Sequence, residues 1–200
     1  ARQVSAALRA LGIGLGDRVV TLAWNSERHL ECWYGAMGIG AVLHTLNPRL
    51  HPDQLAWIAN DAGSRVLILD TSFVALIEPI RERLPFGHYV IIADPEQMPV
   101  NSLDAHCYED WLWNQGTDAA WGGFDESTAS GLCYTSGTTG NPKGVLYSHR
   151  SNVLHTLLTL GKGGLGIGPD DTVLPIVPMF HANAWGLAFA CPAAGAKMVM

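Results

Sequence analysis

The residues whose types and spacing best suit chemistry lie in one polar stretch, residues 134–145, with the sequence YTSGTTGNPKGV. Glycines permit backbone turns in which successive N–H groups converge on an anion. Hydroxyl groups rotate to donate to phosphate oxygens, and Lys143 adds a movable positive charge. The candidate phosphate-binding residues are Thr135, Ser136, Gly137, Thr138, Thr139, Gly140 and Lys143.

Two other interpretations of this stretch are a surface linker and a Walker A loop. A cluster of glycine, serine and threonine is usually a flexible surface linker, but a linker seldom contains a proline and a lysine such as Pro142 and Lys143. A Walker A loop is excluded, because it needs glycine directly before the lysine and serine or threonine after it. Short apolar segments at residues 131–134 and 145–147 predict a strand on each side, so phosphate binding is favoured.

A second candidate stretch is residues 178–186, with the sequence PMFHANAWG. From residue types alone, His181 is more often a hydrogen-bonded histidine at a helix start than a catalytic group. Trp185 is equally well explained as a core aromatic residue. His149 and Arg150 follow the polar stretch directly, and a structural role is the favoured prediction for both.

Several function classes are disfavoured by composition and motif. The net charge of −6 and the lack of a dense Lys/Arg run argue against nucleic acid as a partner. The sequence has no HExxH or GxSxG motif and no carboxylate pair, so hydrolase chemistry is disfavoured. Residues 161–166 match GxGxxG by letter, but they follow a predicted helix and precede Pro169, so they predict a turn.

The four cysteines are scattered and predict free thiols in a reducing cytoplasm. No apolar run is long enough to predict a transmembrane segment. The chain starts as if inside a helix and ends in an apolar run. We therefore expect residues 1–200 to be a segment of a longer protein, truncated at both ends.

Strand and helix patterns alternate along most of the chain. This alternation predicts an α/β fold with layered sheets of mostly parallel strands flanked by helices. Residues 94–130 predict peripheral loops around a short helix near 104–113, and their tryptophans are assigned to packing or oligomer contact. The predicted strands are 18–24, 41–45, 64–69, 88–93, 131–134, 145–147, 172–178 and 197–200. The other predicted helices are 4–11, 27–38, 52–62, 72–84, 182–194 and one that ends at 160 and is capped by Ser151 or Asn152.

Residues 134–145 resemble the signature phosphate loop of the adenylate-forming (AMP-binding) superfamily. That superfamily includes acyl-CoA synthetases, luciferases and adenylation domains of peptide synthetases. The resemblance extends to Asp17, Asn25, Asn47-Pro48 and Asp61-Ala-Gly, and it covers essentially the whole chain, weakest at 94–130. The sequence Asn-Ala-Trp at residues 183–185 is most similar to the corresponding segment of the medium- and long-chain fatty-acyl-CoA synthetases.

The resemblance implies a reaction with ATP, Mg²⁺ and coenzyme A. A carboxylic acid, in particular a fatty acid, would be converted to an acyl-adenylate with release of pyrophosphate and then transferred to coenzyme A. Thr135 would contact the metal and Lys143 would act on the phosphates. His181 would position the carboxylate as the second catalytic residue, and Trp185 would bind substrate as the gate of an acyl tunnel.

The resemblance also implies how the chain is organised. Residues 1–200 would form part of the large N-terminal domain, without the C-terminal domain, and would be inactive alone. Small molecules would be the partners, and a homodimer is possible. Three alternatives stay open: an adenylation domain of a peptide synthetase, an aryl-CoA ligase, and a nucleotide-binding module that is not an enzyme.

Overall fold

Seven strands form the central sheet in the computed structural model, which describes residues 1–135 and 141–200. The sheet order is β5-β4-β3-β1-β2-β6-β7 in strands numbered along the chain. Neighbouring strands are parallel except for the final antiparallel pair, which confirms the predicted fold class. The strands are β1 (Arg18–Leu22), β2 (Val42–Thr45), β3 (Val66–Asp70), β4 (His88–Ile92), β5 (His106–Cys107), β6 (Ala129–Thr135) and β7 (Lys143–Ser148).

Helices cover both faces of this sheet. Side chains alternate along β3, so that Val66 and Ile68 join one apolar cluster and Leu67 and Leu69 join the other. Four helices, α1, α2, α5 and α7, pack into the first cluster, and α3 and α4 pack into the second. The helices are α1 (Arg2–Ala10), α2 (Glu27–Gly38), α3 (Pro52–Asp61), α4 (Val74–Ile77), α5 (Tyr108–Trp113), α6 (His149–Leu160) and α7 (Leu187–Ala194).

Five of the predicted phosphate-binding residues, Ser136, Gly137, Thr138, Thr139 and Gly140, lie outside the described residues. A second, two-stranded parallel sheet consists of β8 (Thr172–Val173) and β9 (Lys197–Met198). None of the helices in the described part of the chain combines the length and apolar character needed to cross a bilayer.

Prolines explain two differences from the predicted elements. The predicted helix at 72–84 is instead α4 between two 3₁₀ segments, Thr71–Phe73 and Glu78–Arg83. Pro79 has no N–H to continue α-helical bonding there. The predicted strand at 172–178 ends after Val173, because Pro175 and Pro178 cannot donate to a neighbouring strand.

Two helix starts also differ from the prediction. Helix α6 begins at His149, and its cap is Ser148 rather than the predicted Ser151 or Asn152, because the Ser148 side chain accepts from Ser151 N–H. The predicted helix at 182–194 begins only at Leu187. The preceding residues, Ala182–Gly186, form a left-handed turn.

Residues 94–130 are less peripheral than predicted. They contain the predicted short helix, α5, and its Tyr108 is completely buried in the first apolar cluster. Trp111 is buried and Trp121 donates from Nε1 to Ser5 Oγ at 2.8 Å, so both pack as predicted. Trp113 is instead 81% exposed.

Candidate functional site

Two residues of the polar stretch, Thr135 and Lys143, lie at the adjoining ends of β6 and β7. The last residue pair between these strands is Thr135 with Lys143, and the Thr135 hydroxyl lies 3.5 Å from the Lys143 carbonyl oxygen. Strand β6 runs parallel to β2, so Thr135 lies at the carboxyl end of the parallel strands. Open α/β sheets bind their ligands at that edge. The structure therefore brings together two predicted site residues at a suitable place.

Both of these side chains are open to solvent. Thr135 and Lys143 are exposed, and within residues 1–135 and 141–200 Lys143 forms no ion pair. A lysine ammonium in this position is able to meet an anionic ligand without first leaving a carboxylate.

Tyr134 anchors the base of the β6–β7 hairpin. Its hydroxyl donates to Asp61 Oδ2 at 2.6 Å, and its ring centroid lies 5.3 Å from that of His44. Burial, with the Asp61 carboxylate as a second cause, raises the pKa of Tyr134 far above its ordinary value. Gly144 pairs with Tyr134, and a Cβ there would lie 3.1 Å from Leu132 Cδ1 and 3.2 Å from Tyr134 Cζ, so a side chain would require these neighbours to shift.

The second candidate stretch forms a left-handed turn beside β6. Ala182, Asn183, Ala184 and Trp185 have φ between 45° and 53°, a conformation that costs about 1–2 kcal/mol per residue for L-amino acids. Within the turn, the Ala184 N–H donates to the His181 carbonyl oxygen at 3.1 Å.

The turn exposes the two side chains that the sequence indicated. His181 and Trp185 are exposed, and Trp185 lines a cavity of about 420 Å³ with residues of β7, α6 and α7. His181 is not among the lining residues of that cavity. Trp185 is therefore not a core aromatic residue in the described part of the chain.

A larger apolar cavity adjoins the one at Trp185. Its volume is about 670 Å³, and it lies between α2, α6, α7 and the segment at 121–126. Asn152 and Phe189 line both cavities. The two spaces thus form one mostly apolar region between α6 and α7.

Asn25 supports the strand-like segment that leads to His181. Its side-chain amide donates to the carbonyl oxygens of Pro175 and Val177, at 2.8 and 3.2 Å, and accepts from Met179 N–H at 2.7 Å. The sequence indicated Asn25 by resemblance alone, without a role. Its partners lie about 150 residues away along the chain, so no local pattern could have predicted the contact.

His149 and Arg150 make structural contacts, in line with the prediction. The His149 ring packs on Phe124 with centroids 4.8 Å apart, and burial lowers its pKa. Arg150 forms an ion pair with Glu126 at 2.9 Å.

Thr135 is the residue predicted to contact Mg²⁺. The described residues contain no group of three or more His, Cys, Asp or Glu able to hold a metal ion. The exposed Thr135 hydroxyl is one oxygen ligand of the type that Mg²⁺ prefers. Protein-bound Mg²⁺ commonly takes one or two protein ligands and completes its shell with phosphates and water.

Comparisons with known proteins find CoA ligases among the similar sequences and structures. A 3-methylmercaptopropionyl-CoA ligase of Ruegeria lacuscaerulensis is 48% identical over the whole chain, and a long-chain-fatty-acid–CoA ligase of Thermus thermophilus is 46% identical over the whole chain. The crystal structure of the anthranilate CoA ligase AuaEII in complex with anthranoyl-AMP superposes on the whole chain with a TM-score of 0.88 and 28% identity.

The chain spans a minority of each of these proteins: 38% and 36% of the two relatives and 38% of the crystallised ligase. A model of the family described as AMP-binding enzyme matches residues 1–200. Together with relatives that match over its full length, this shows that the chain belongs to the AMP-binding enzyme family.

Proposed function

We propose that the full-length protein is an ATP-dependent acid–thiol ligase. It would join a carboxylic acid to AMP with release of pyrophosphate and then transfer the acyl group to coenzyme A. The observation that carries the proposal is the pairing of Thr135 with Lys143 at the carboxyl edge of the sheet, at the two ends of the polar stretch. Membership of the AMP-binding enzyme family and similarity to proteins named CoA ligases support it.

In the first step the carboxylate attacks the α-phosphorus of ATP, and negative charge grows on the departing pyrophosphate. Such a step needs alignment and charge stabilisation more than covalent help from the protein. The Lys143 ammonium is suited to stabilise the β- and γ-phosphates. Thr135 would hold Mg²⁺, which would neutralise part of the phosphate charge.

The acid is proposed to lie on the side of the left-handed turn. His181 would position the carboxylate, and Trp185 would border the acyl chain at the smaller cavity. The adjoining cavity of about 670 Å³ is lined mainly by apolar side chains, which suits an aliphatic chain better than a charged one. A medium- or long-chain fatty acid is therefore the favoured substrate.

An aromatic acid is the second candidate. The specific observation in its favour is the TM-score of 0.88 to a ligase crystallised with anthranoyl-AMP. The third class to compare is a short thioether acid, because the relative with 48% identity is named for one.

The test is acid-dependent exchange of pyrophosphate into ATP by the full-length protein. The acids would be butyrate to palmitate, benzoate, anthranilate and 3-methylmercaptopropionate, each followed by an assay for the acyl-CoA. We expect exchange to increase with chain length to a maximum within the fatty-acid series. Release of orthophosphate without acid-dependent exchange would contradict the ligase, and a maximum at an aromatic acid would transfer the proposal to the aryl-CoA ligases.

Three further predictions accompany this function. Residues 1–200 would form part of the N-terminal domain of the ligase. The protein would be cytoplasmic, in line with four cysteines that form no disulfide. A homodimer stays a prediction that light scattering of the full-length protein would test.

A further inference from the structure

We propose that Asp61 is a positioning residue for the phosphate site, which acts through Tyr134 on Thr135 and Lys143. The inference rests on the proposed function, because it assigns a role in ATP binding to a residue that would touch neither ATP nor the acid. Asp61 is the last residue of α3, and Tyr134 is the penultimate residue of β6. Their hydrogen bond of 2.6 Å connects residues 73 positions apart.

Tyr134 is next to both ends of the polar stretch. Thr135 follows it in sequence, and Gly144, its partner on β7, directly follows Lys143. A Cβ on Gly144 would lie 3.2 and 3.4 Å from two ring atoms of Tyr134, so the ring packs directly on the β7 backbone. Any displacement of the ring is therefore transmitted to both Thr135 and Lys143.

The other side of the Tyr134 ring is confined by two aromatic neighbours. The ring centroid lies 5.3 Å from that of His44 on β2 and 6.3 Å from that of Trp57 on α3. His44 is buried and neutral, since burial lowers its pKa to about 3. The two aromatic neighbours thus pack against the ring, and the Asp61 hydrogen bond holds its hydroxyl end.

Helix stability does not explain an aspartate at position 61. A carboxylate in the last turn of a helix faces the negative end of the helix dipole, which is the unfavourable end for it. The same carboxylate is well placed as an acceptor for the half-buried Tyr134 phenol, because hydrogen bonds to charged groups are shorter and stronger than neutral ones. The hydrogen bond to Tyr134 is thus the interaction that explains an aspartate at position 61.

The test compares Asp61→Ala, Tyr134→Phe and the double variant in full-length protein by pyrophosphate exchange. We expect each single variant to raise the KM for ATP about three- to tenfold, as loss of one solvent-exposed hydrogen bond would. The KM for the acid should stay within about twofold of the wild-type value, which is a much smaller change than tenfold. The double variant should resemble either single one, because both changes remove the same contact.

Two controls separate positioning from a general loss of stability. Asp61→Asn retains an acceptor oxygen and should recover most of the affinity for ATP. Tyr89→Phe removes a hydroxyl from another half-buried tyrosine packed against the same apolar cluster and should leave both KM values unchanged. Equal increases in both KM values, additive effects, or an unchanged KM for ATP would each overturn the role of Asp61. A wild-type protein without acid-dependent exchange would instead overturn the proposed function, and this inference with it.

Discussion

Asn25 and Met179 are joined by a hydrogen bond of 2.7 Å from the Met179 N–H to the Asn25 side-chain oxygen, across 154 positions of sequence. The nitrogen of the same amide donates to Pro175 and Val177 carbonyl oxygens. One side chain after β1 therefore fixes three backbone groups of the segment that ends at His181. Phe180 adds an aromatic contact to Trp24, with ring centroids 5.9 Å apart.

Asn25→Ala should loosen the approach to His181. Because three hydrogen bonds of about 1 kcal/mol each are lost and one N–H is left without its partner, we expect about 2–3 kcal/mol of destabilisation. The KM for the acid should rise more than the KM for ATP. Urea unfolding and pyrophosphate exchange measure the two effects.

Asn60→Ala is the matched control for that variant. The Asn60 amide also donates two hydrogen bonds, to Ala56 and Arg83 carbonyl oxygens, both at 2.8 Å, but it lies on α3 and outside the 175–181 segment. It should lower stability without changing the KM for the acid. Similar KM changes in the two variants would show that Asn25 has no specific connection to the site.

Lys143→Ala should act on rate. If the ammonium stabilises charge on the departing pyrophosphate, its loss should reduce exchange by about 10²- to 10³-fold. Lys162 is a suitable control, since it is exposed and lies in the turn after α6. Lys162→Ala should exchange pyrophosphate at the wild-type rate. An unchanged rate in Lys143→Ala would remove Lys143 from the catalytic machinery.

The sequence predicted what contiguous residues determine. Strand β3 is a run of buried apolar residues between polar ends, so its pattern alone identified it. The candidate phosphate-binding stretch could also be proposed from the sequence, because its residues are consecutive, and the structure pairs Thr135 with Lys143. Both predictions required no knowledge of distant contacts.

Contacts between distant segments were not predictable in this way. Asp61 and Tyr134 are far apart in sequence, and neither residue type alone indicates the other. The turn at Ala182–Gly186 was predicted as a right-handed helix, since the left-handed conformation is unfavourable for alanine, asparagine and tryptophan. Tertiary contacts accompany the left-handed form, including the close approach of Gly186 to His155 on α6.

Gly186→Ala should destabilise that turn for two reasons. Gly186 has φ +75°, and a Cβ there would lie 2.6 Å from His155 Nδ1. We expect a loss of about 1–3 kcal/mol in unfolding free energy, measured by urea denaturation.

The two causes can be separated with His155. In a protein that already carries His155→Ala, the substitution Gly186→Ala meets no imidazole and only its backbone cost remains. Gly186→Ala should therefore lower the unfolding free energy less in that variant than in the wild-type protein. Gly163→Ala serves as the control, because nothing lies within 4 Å of a Cβ at that position. A Gly186→Ala protein as stable as wild type would show that the left-handed turn is not the native conformation.

Two buried histidines should make the fold sensitive to acid. Burial lowers the pKa of His44 to about 3 and that of His29 to about 4, from an ordinary value of 6.5. The unfolded chain therefore binds more protons than the folded chain below pH 6.5. The stability from each neutral histidine is present above that pH and is lost as the pH falls towards the folded pKa. Between pH 7.5 and 5 we expect a loss of about 2 kcal/mol per histidine.

Denaturant unfolding at a series of pH values measures this slope, and His44→Gln should remove the share that belongs to His44. His29 should keep its share in that variant, because its hydrogen bonds to Trp24 and Thr21 do not involve His44. The remaining slope should therefore be about half of the histidine contribution. An unchanged slope in His44→Gln, or an imidazole NMR titration of His44 with a midpoint near the ordinary value, would show that His44 is accessible to protons in the folded protein.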